Sequence, residues 1–78
     1  SEVNTSKGRL DCILFAPKQI FIIEFKVDES AEKALAQINE KGYAEPYRTD
    51  GRPIVKIGVN FSSEERTIEG WMVEDESV

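Results

Sequence analysis

Seventy-eight residues leave room for one small domain, and residues 1–78 read as a single unit. With no histidine and one cysteine, the chain cannot build a Cys/His zinc site, a Ser-His-Asp triad or a Cys-His pair of its own. A formal charge of −5 argues against tight, nonspecific binding to a phosphate backbone, and no stretch approaches the roughly 18–20 apolar residues of a membrane span.

Residues 2–5 read as the end of a short strand and Ser6-Lys7-Gly8 as a turn. The opening Ser1-Glu2-Val3-Asn4 has neither a Met nor a signal pattern, so a fragment of a longer, cytoplasmic protein is the expectation. Two apolar segments follow, residues 9–15 and 19–27, joined by Ala16-Pro17-Lys18. Cys12 lies in the first and reads as a small buried hydrophobe. After Val27, either Asp28 or Ser30 can N-cap a helix, because each side chain can accept a bond from a free first-turn N–H. Ala31, Ala34, Leu35 and Ile38 then recur at helical spacing, leaving Glu32, Lys33 and Glu40 on the wet side. Gly42 interrupts the stripe, and Tyr43 and Tyr47 beyond it leave a bend and a continuation both open, with Pro46 against a simple straight helix. Residues 49–53 are turn chemistry. Residues 54–61 form the next strand, with Val55, Ile57, Val59 and Phe61 on one face and Ile54, Lys56, Gly58 and Asn60 on the other. A polar turn over 62–66 leads to a final strand, 67–73, in which Trp71 is the expected packing anchor; the acidic residues 74–78 read as a frayed tail.

A helix between the third and fourth strands permits a parallel crossover, right-handed by the usual rule. The expected architecture is therefore a small mixed α/β sheet with one helix on a face. The opposite face carries Ile, Phe and Leu side chains that need cover, for which an additional helix is the natural candidate.

Three charges interrupt the apolar strands: Asp11, Glu24 and Lys26. Unpaired charges in such places cost several kcal/mol, so they usually have partners or a ligand. Alternation puts Glu24 and Lys26 on one face. A two-residue turn at Pro17-Lys18 sets Ala16 opposite Gln19 and, counting outward, Asp11 opposite Glu24. A three-residue link would put the acids on opposite faces. In the first register the carboxylates repel at roughly 5 Å between Cβ atoms, and a divalent cation would relieve that repulsion. The bland alternative is an acid on each strand facing solvent, with Lys26 paired to one of them. Against it, Ile20 and Ile22 share the face of Glu24, and Ile13 and Phe15 that of Asp11, so the face looks covered.

Gly8-Arg9-Leu10-Asp11, Ile22-Ile23-Glu24-Phe25-Lys26, Ala34-Leu35-Ala36-Gln37-Ile38, Gly42-Tyr43-Ala44 and Ile57-Gly58-Val59-Asn60-Phe61 together resemble the PD-(D/E)XK nuclease superfamily, in particular its bacterial branch found C-terminal to AAA-ATPase-like domains. The resemblance implies a restriction-endonuclease-like αβββαβ core whose first helix precedes Ser1. It also implies metal ligation by Asp11, Glu24 and the Phe25 backbone carbonyl, with Mg²⁺ or Mn²⁺ as the ion. Lys26 would orient the attacking water or stabilise charge on the phosphate, and Gln37 matches the helix glutamine of RecB-type nucleases. The tyrosine expected four residues after that glutamine is Lys41 here, with Tyr43 two further on. Leu10 stands in place of the proline before the first aspartate, and Glu2 is the counterpart of an early acidic residue.

Two functions follow as expectations. One is a Mg²⁺-dependent nuclease acting on DNA or RNA, with Lys7, Arg9, Lys18 and Lys26 as the cations available to a nucleic acid. The other is a catalytically silent module of the same fold that contacts an ATPase-like part of the same protein or a second copy of itself. The acidic balance favours the second, and the intact Asp11, Glu24 and Lys26 favour the first.

Overall fold

The computed structural model describes the backbone of residues 2–6 and 9–76 and the side chains of residues 12–76. Its five strands form one sheet in chain order. β1 (Glu2–Ser6), β2 (Arg9–Phe15) and β3 (Ile20–Val27) run as an antiparallel meander. β4 (Ile54–Ser62) lies parallel to β3, and β5 (Thr67–Asp75) returns antiparallel to β4. The crossover between β3 and β4 holds α1 (Ala31–Lys41) and a 3₁₀ helix, Glu45–Asp50. This is the expected α/β mixed sheet with its crossover helix.

The turn chemistry between β2 and β3 sets the register. Pro17-Lys18 forms a two-residue turn, closed by the Ala16 N–H donating to the Gln19 carbonyl at 2.8 Å. Phe15 then pairs with Ile20, and Asp11 with Glu24. Of the two registers open in the sequence, this one puts both acids on the same face.

Ser30 caps α1: its side chain accepts the Lys33 N–H at 3.1 Å. Asp28 does not share that role. It sits at φ 59 and its carboxylate accepts the backbone N–H and the hydroxyl of Ser63, tying the end of β3 to the β4–β5 turn. The helix neither bends nor continues past Gly42, which adopts φ 66 and donates its N–H to the last-turn carbonyls. Pro46 falls in the first turn of the following 3₁₀ helix, where a missing N–H costs least.

α1 packs on β3 and β4 through Ala31, Ala34 and Ile38, with Leu35 half-buried. Ile20, Ile22, Ile38, Ala44 and Ile54 form the core, with Ile13, Tyr43 and Tyr47 against it. Glu32, Lys33 and Glu40 are exposed, as the helical stripe requires.

Two expectations fail at the far edge. Trp71 is no packing anchor: it is 66% exposed, because it lies on the sheet face opposite α1, which no described helix covers. Leu14, Val27, Ile68 and Val73 are exposed on that same face. Nor does the acidic segment fray over 74–76; residues 77 and 78 lie outside the described residues. β5 runs on through Asp75, and the Glu76 N–H donates to the Ile54 carbonyl at 2.9 Å. The acids there are held by Lys56 and Arg48, cations on β4 and the 3₁₀ helix.

Candidate functional site

Across the face under α1, paired residues form transverse rows. One row is Asp11, Glu24 and Gly58, on β2, β3 and β4. The next, two residues along, is Arg9, Lys26 and Asn60. Glu24 therefore sits in the middle of the sheet, and its residue exposure is 0%.

Gly58 explains that burial. A Cβ built on it would lie 2.5 Å from both the Ala31 carbonyl oxygen and the Leu35 nitrogen, and 3.0 Å from the Ala34 Cβ. The helix backbone thus rests on β4 at this glycine. Ala31 and Ala34 allow the approach, since each carries only a methyl group. The first turns of α1 are thereby laid on the row that holds Glu24.

Lys26 keeps a side chain that is only 14% exposed, so its stem lies along the sheet. Its Nζ stands 3.9 Å from Glu29 Oε2, a contact too long for a hydrogen bond. Glu29 is shared, with its other oxygen 3.8 Å from Lys33 Nζ. Phe25 turns its side chain to the opposite face, so only its backbone is available between Glu24 and Lys26. Gln37 is half-buried on α1, and its side chain forms no hydrogen bond with another described residue. Tyr43 packs against the core cluster.

The fold thus brings Asp11, Glu24 and Lys26 to one face and keeps Gln37 on the helix above it. Side chains of Asp11, Glu2 and Arg9, and all of Lys7, lie outside the described residues. Among the described residues, no three His, Cys, Asp or Glu side chains converge as a metal cluster. Lys18 is exposed at the β2–β3 turn, far along β3 from Lys26, so these two cations make no patch.

Two polar residues on this face were not singled out by sequence reasoning. Lys56 is 5% exposed; its Nζ donates to Asn39 Oδ1 at 2.6 Å and lies 3.0 Å from Glu76 Oε2 and 3.3 Å from Glu74 Oε2. Asn60 stands beside Lys26. The signal for both was the alternation of β4, which put them on the covered face with Gly58.

A family model described as the PD-(D/E)XK nuclease superfamily matches residues 1–71. Among curated proteins, the chain is similar to the "Uncharacterized protein in vnfD 5'region" of Azotobacter chroococcum mcd 1, 43% identical over 72 residues that make up 90% of this chain and 14% of that protein. The chain therefore spans about 14% of the length of the relative it matches. No solved structure matches it. A match over residues 1–71, on a mixed sheet whose second and third strands set Asp11 opposite Glu24 with Lys26 in the next row, places the chain in the PD-(D/E)XK nuclease superfamily.

Proposed function

We propose that the chain is a divalent-metal-dependent nuclease domain that hydrolyses phosphodiester bonds in DNA or RNA, with Asp11, Glu24 and Lys26 at its centre. The observation that carries this reading is a fully buried glutamate, Glu24, facing a second acidic position, Asp11, one row from a lysine on the same covered face. Hard oxygen donors of this kind suit Mg²⁺ or Mn²⁺. Such an ion supplies Lewis-acid stabilisation and a more acidic water at neutral pH.

Asp11 and Glu24 would hold the ion through their carboxylates, with the Phe25 carbonyl as a third donor. Lys26 places its ammonium where negative charge develops on the phosphate. Glu24 is shielded from bulk water, and Gln37 on α1 would hydrogen-bond a phosphate or the attacking water. Since the chain covers 14% of its relative, the substrate and any contact with an ATPase-like part belong to the longer protein.

The test is Mg²⁺-dependent cleavage of single- and double-stranded DNA and RNA by the full-length protein. Asp11→Asn and Glu24→Gln should each abolish turnover, and Lys26→Ala should cut it about 100-fold to a measurable residue, while circular dichroism stays unchanged. Loss of Mg²⁺ binding, followed by NMR titration, should accompany the first two only. Cleavage that survives loss of both carboxylates would place the chemistry elsewhere. A folded wild-type protein that cleaves none of these substrates would favour the silent module, the reading its charge of −5 supports.

A further inference from the structure

We propose that Asn60 is the positioning residue for Lys26: its carboxamide oxygen holds the lysine ammonium over the site. What the lysine does there rests on the nuclease reading; the pairing rests on geometry. Asn60 and Lys26 are register partners on neighbouring parallel strands, on the face of Glu24. Adjacent strands lie about 4.8 Å apart, well within reach of a lysine side chain. Asn60 Oδ1 is buried and accepts no hydrogen bond from a described residue. Buried acceptors are rarely left empty, and an empty one calls for a donor.

The orientation of that amide is fixed. Nδ2 donates to Glu69 Oε1 at 3.1 Å. Turned over, the amide would aim its oxygen at the glutamate carboxylate, acceptor against acceptor. Glu69 is the extra residue of a β-bulge: the register passes from Asn60↔Gly70 to Phe61↔Ile68. Bulges re-aim side chains, and this one turns the glutamate onto Asn60. The amide oxygen is thereby directed away from β5.

Lys26 supplies the complementary vacancy. Its one described ion pair, to Glu29, is 3.9 Å long. Rotation about the terminal torsions exchanges that loose pair for the Asn60 oxygen and holds the ammonium in the row next to Asp11 and Glu24. A neutral acceptor suits the task, since it anchors the ammonium without cancelling the charge that a phosphate needs.

Side-chain NMR tests the pairing without substrate. The order parameter of the Lys26 Cε should fall in Asn60→Ala and hold in Glu29→Ala; the reverse pattern would show that Glu29 anchors the lysine and would overturn the proposal. In the full-length protein, Asn60→Ala should lower kcat at least about tenfold, leave Mg²⁺ affinity and melting temperature unchanged, and cost nothing further in a Lys26→Ala background. Losses that multiply in the double variant would overturn the proposal too. Asn60→Asp should keep the lysine ordered but slow cleavage, because a carboxylate neutralises the ammonium. If the wild type cleaves nothing, only the nuclease reading falls, and the order parameters still decide the pairing.

Discussion

Gly58 is the residue that admits the helix to the sheet. Any side chain there meets backbone on α1, at 2.5 Å from Ala31 and Leu35. Backbone cannot swing aside as a flexible side chain can. Gly58→Ala should therefore destabilise by about 1–3 kcal/mol, the usual range for overpacking, read from the urea midpoint. The same substitution lifts α1 away from the row of Glu24, so the Mg²⁺ affinity proposed for that site should weaken with stability. An unchanged midpoint would mean that the helix can ride higher at no cost. Ile38, at 0% exposure, is the opposite case: Ile38→Ala leaves a hole and should cost about 2–5 kcal/mol. Leu35→Ala should cost less, because Leu35 is only partly buried. Equal losses at the two positions would show that the helix face is misjudged.

At the scale of elements, α1 depends on its two ends. Ser30→Ala removes the acceptor for the Lys33 N–H and should cost about 1 kcal/mol, with the loss of helicity visible by circular dichroism. The parts of the fold that depend on near neighbours were legible in the sequence. A two-residue turn fixes β2 against β3, so the pairing of Asp11 with Glu24 could be counted outward from Pro17-Lys18. The stripe of α1 and the two faces of β4 follow from period alone. What stayed hidden depends on long-range partners. The alternation of β4 gave Lys56 a face but no partners; the fold brings Asn39 and two glutamates from beyond β4 to its ammonium. The bulge that aims Glu69 at Asn60 has no local sign, since it exists only in the pairing of β4 with β5. Trp71 was misjudged for a related reason: aromatic character favours burial, but nothing in the strand states whether its face has a partner.

For the whole molecule, acid stability should depend on one contact that closes the sheet edge. Arg48 on the 3₁₀ helix grips Glu76 through two hydrogen bonds, at 2.7 and 3.1 Å, and Lys56 on β4 adds a third cationic contact at 3.0 Å. These bonds hold the Glu76 carboxyl well below its ordinary value of 4.5, at about 2. The pKa is lower in the folded state than in the unfolded chain. The stabilisation is therefore fully present above about pH 4.5 and is lost as pH falls toward 2. Below that point the Glu76 carboxyl no longer ties the end of β5 to Lys56 and Arg48, and the backbone bond to Ile54 remains. Glu76→Gln removes the titration while keeping the shape. It should lower the urea midpoint at about pH 7 but narrow the gap to the wild type at about pH 3. Added salt should shrink the neutral-pH difference, because the glutamate side chain keeps 28% of its surface in water. If wild type and variant instead lose stability in parallel from pH 7 to pH 3, Glu76 is not the group that titrates. The acid sensitivity would then pass to Asp28 and Asp50, whose carboxyls are also held low, the first by bonds from Ser63 and the second by Arg52.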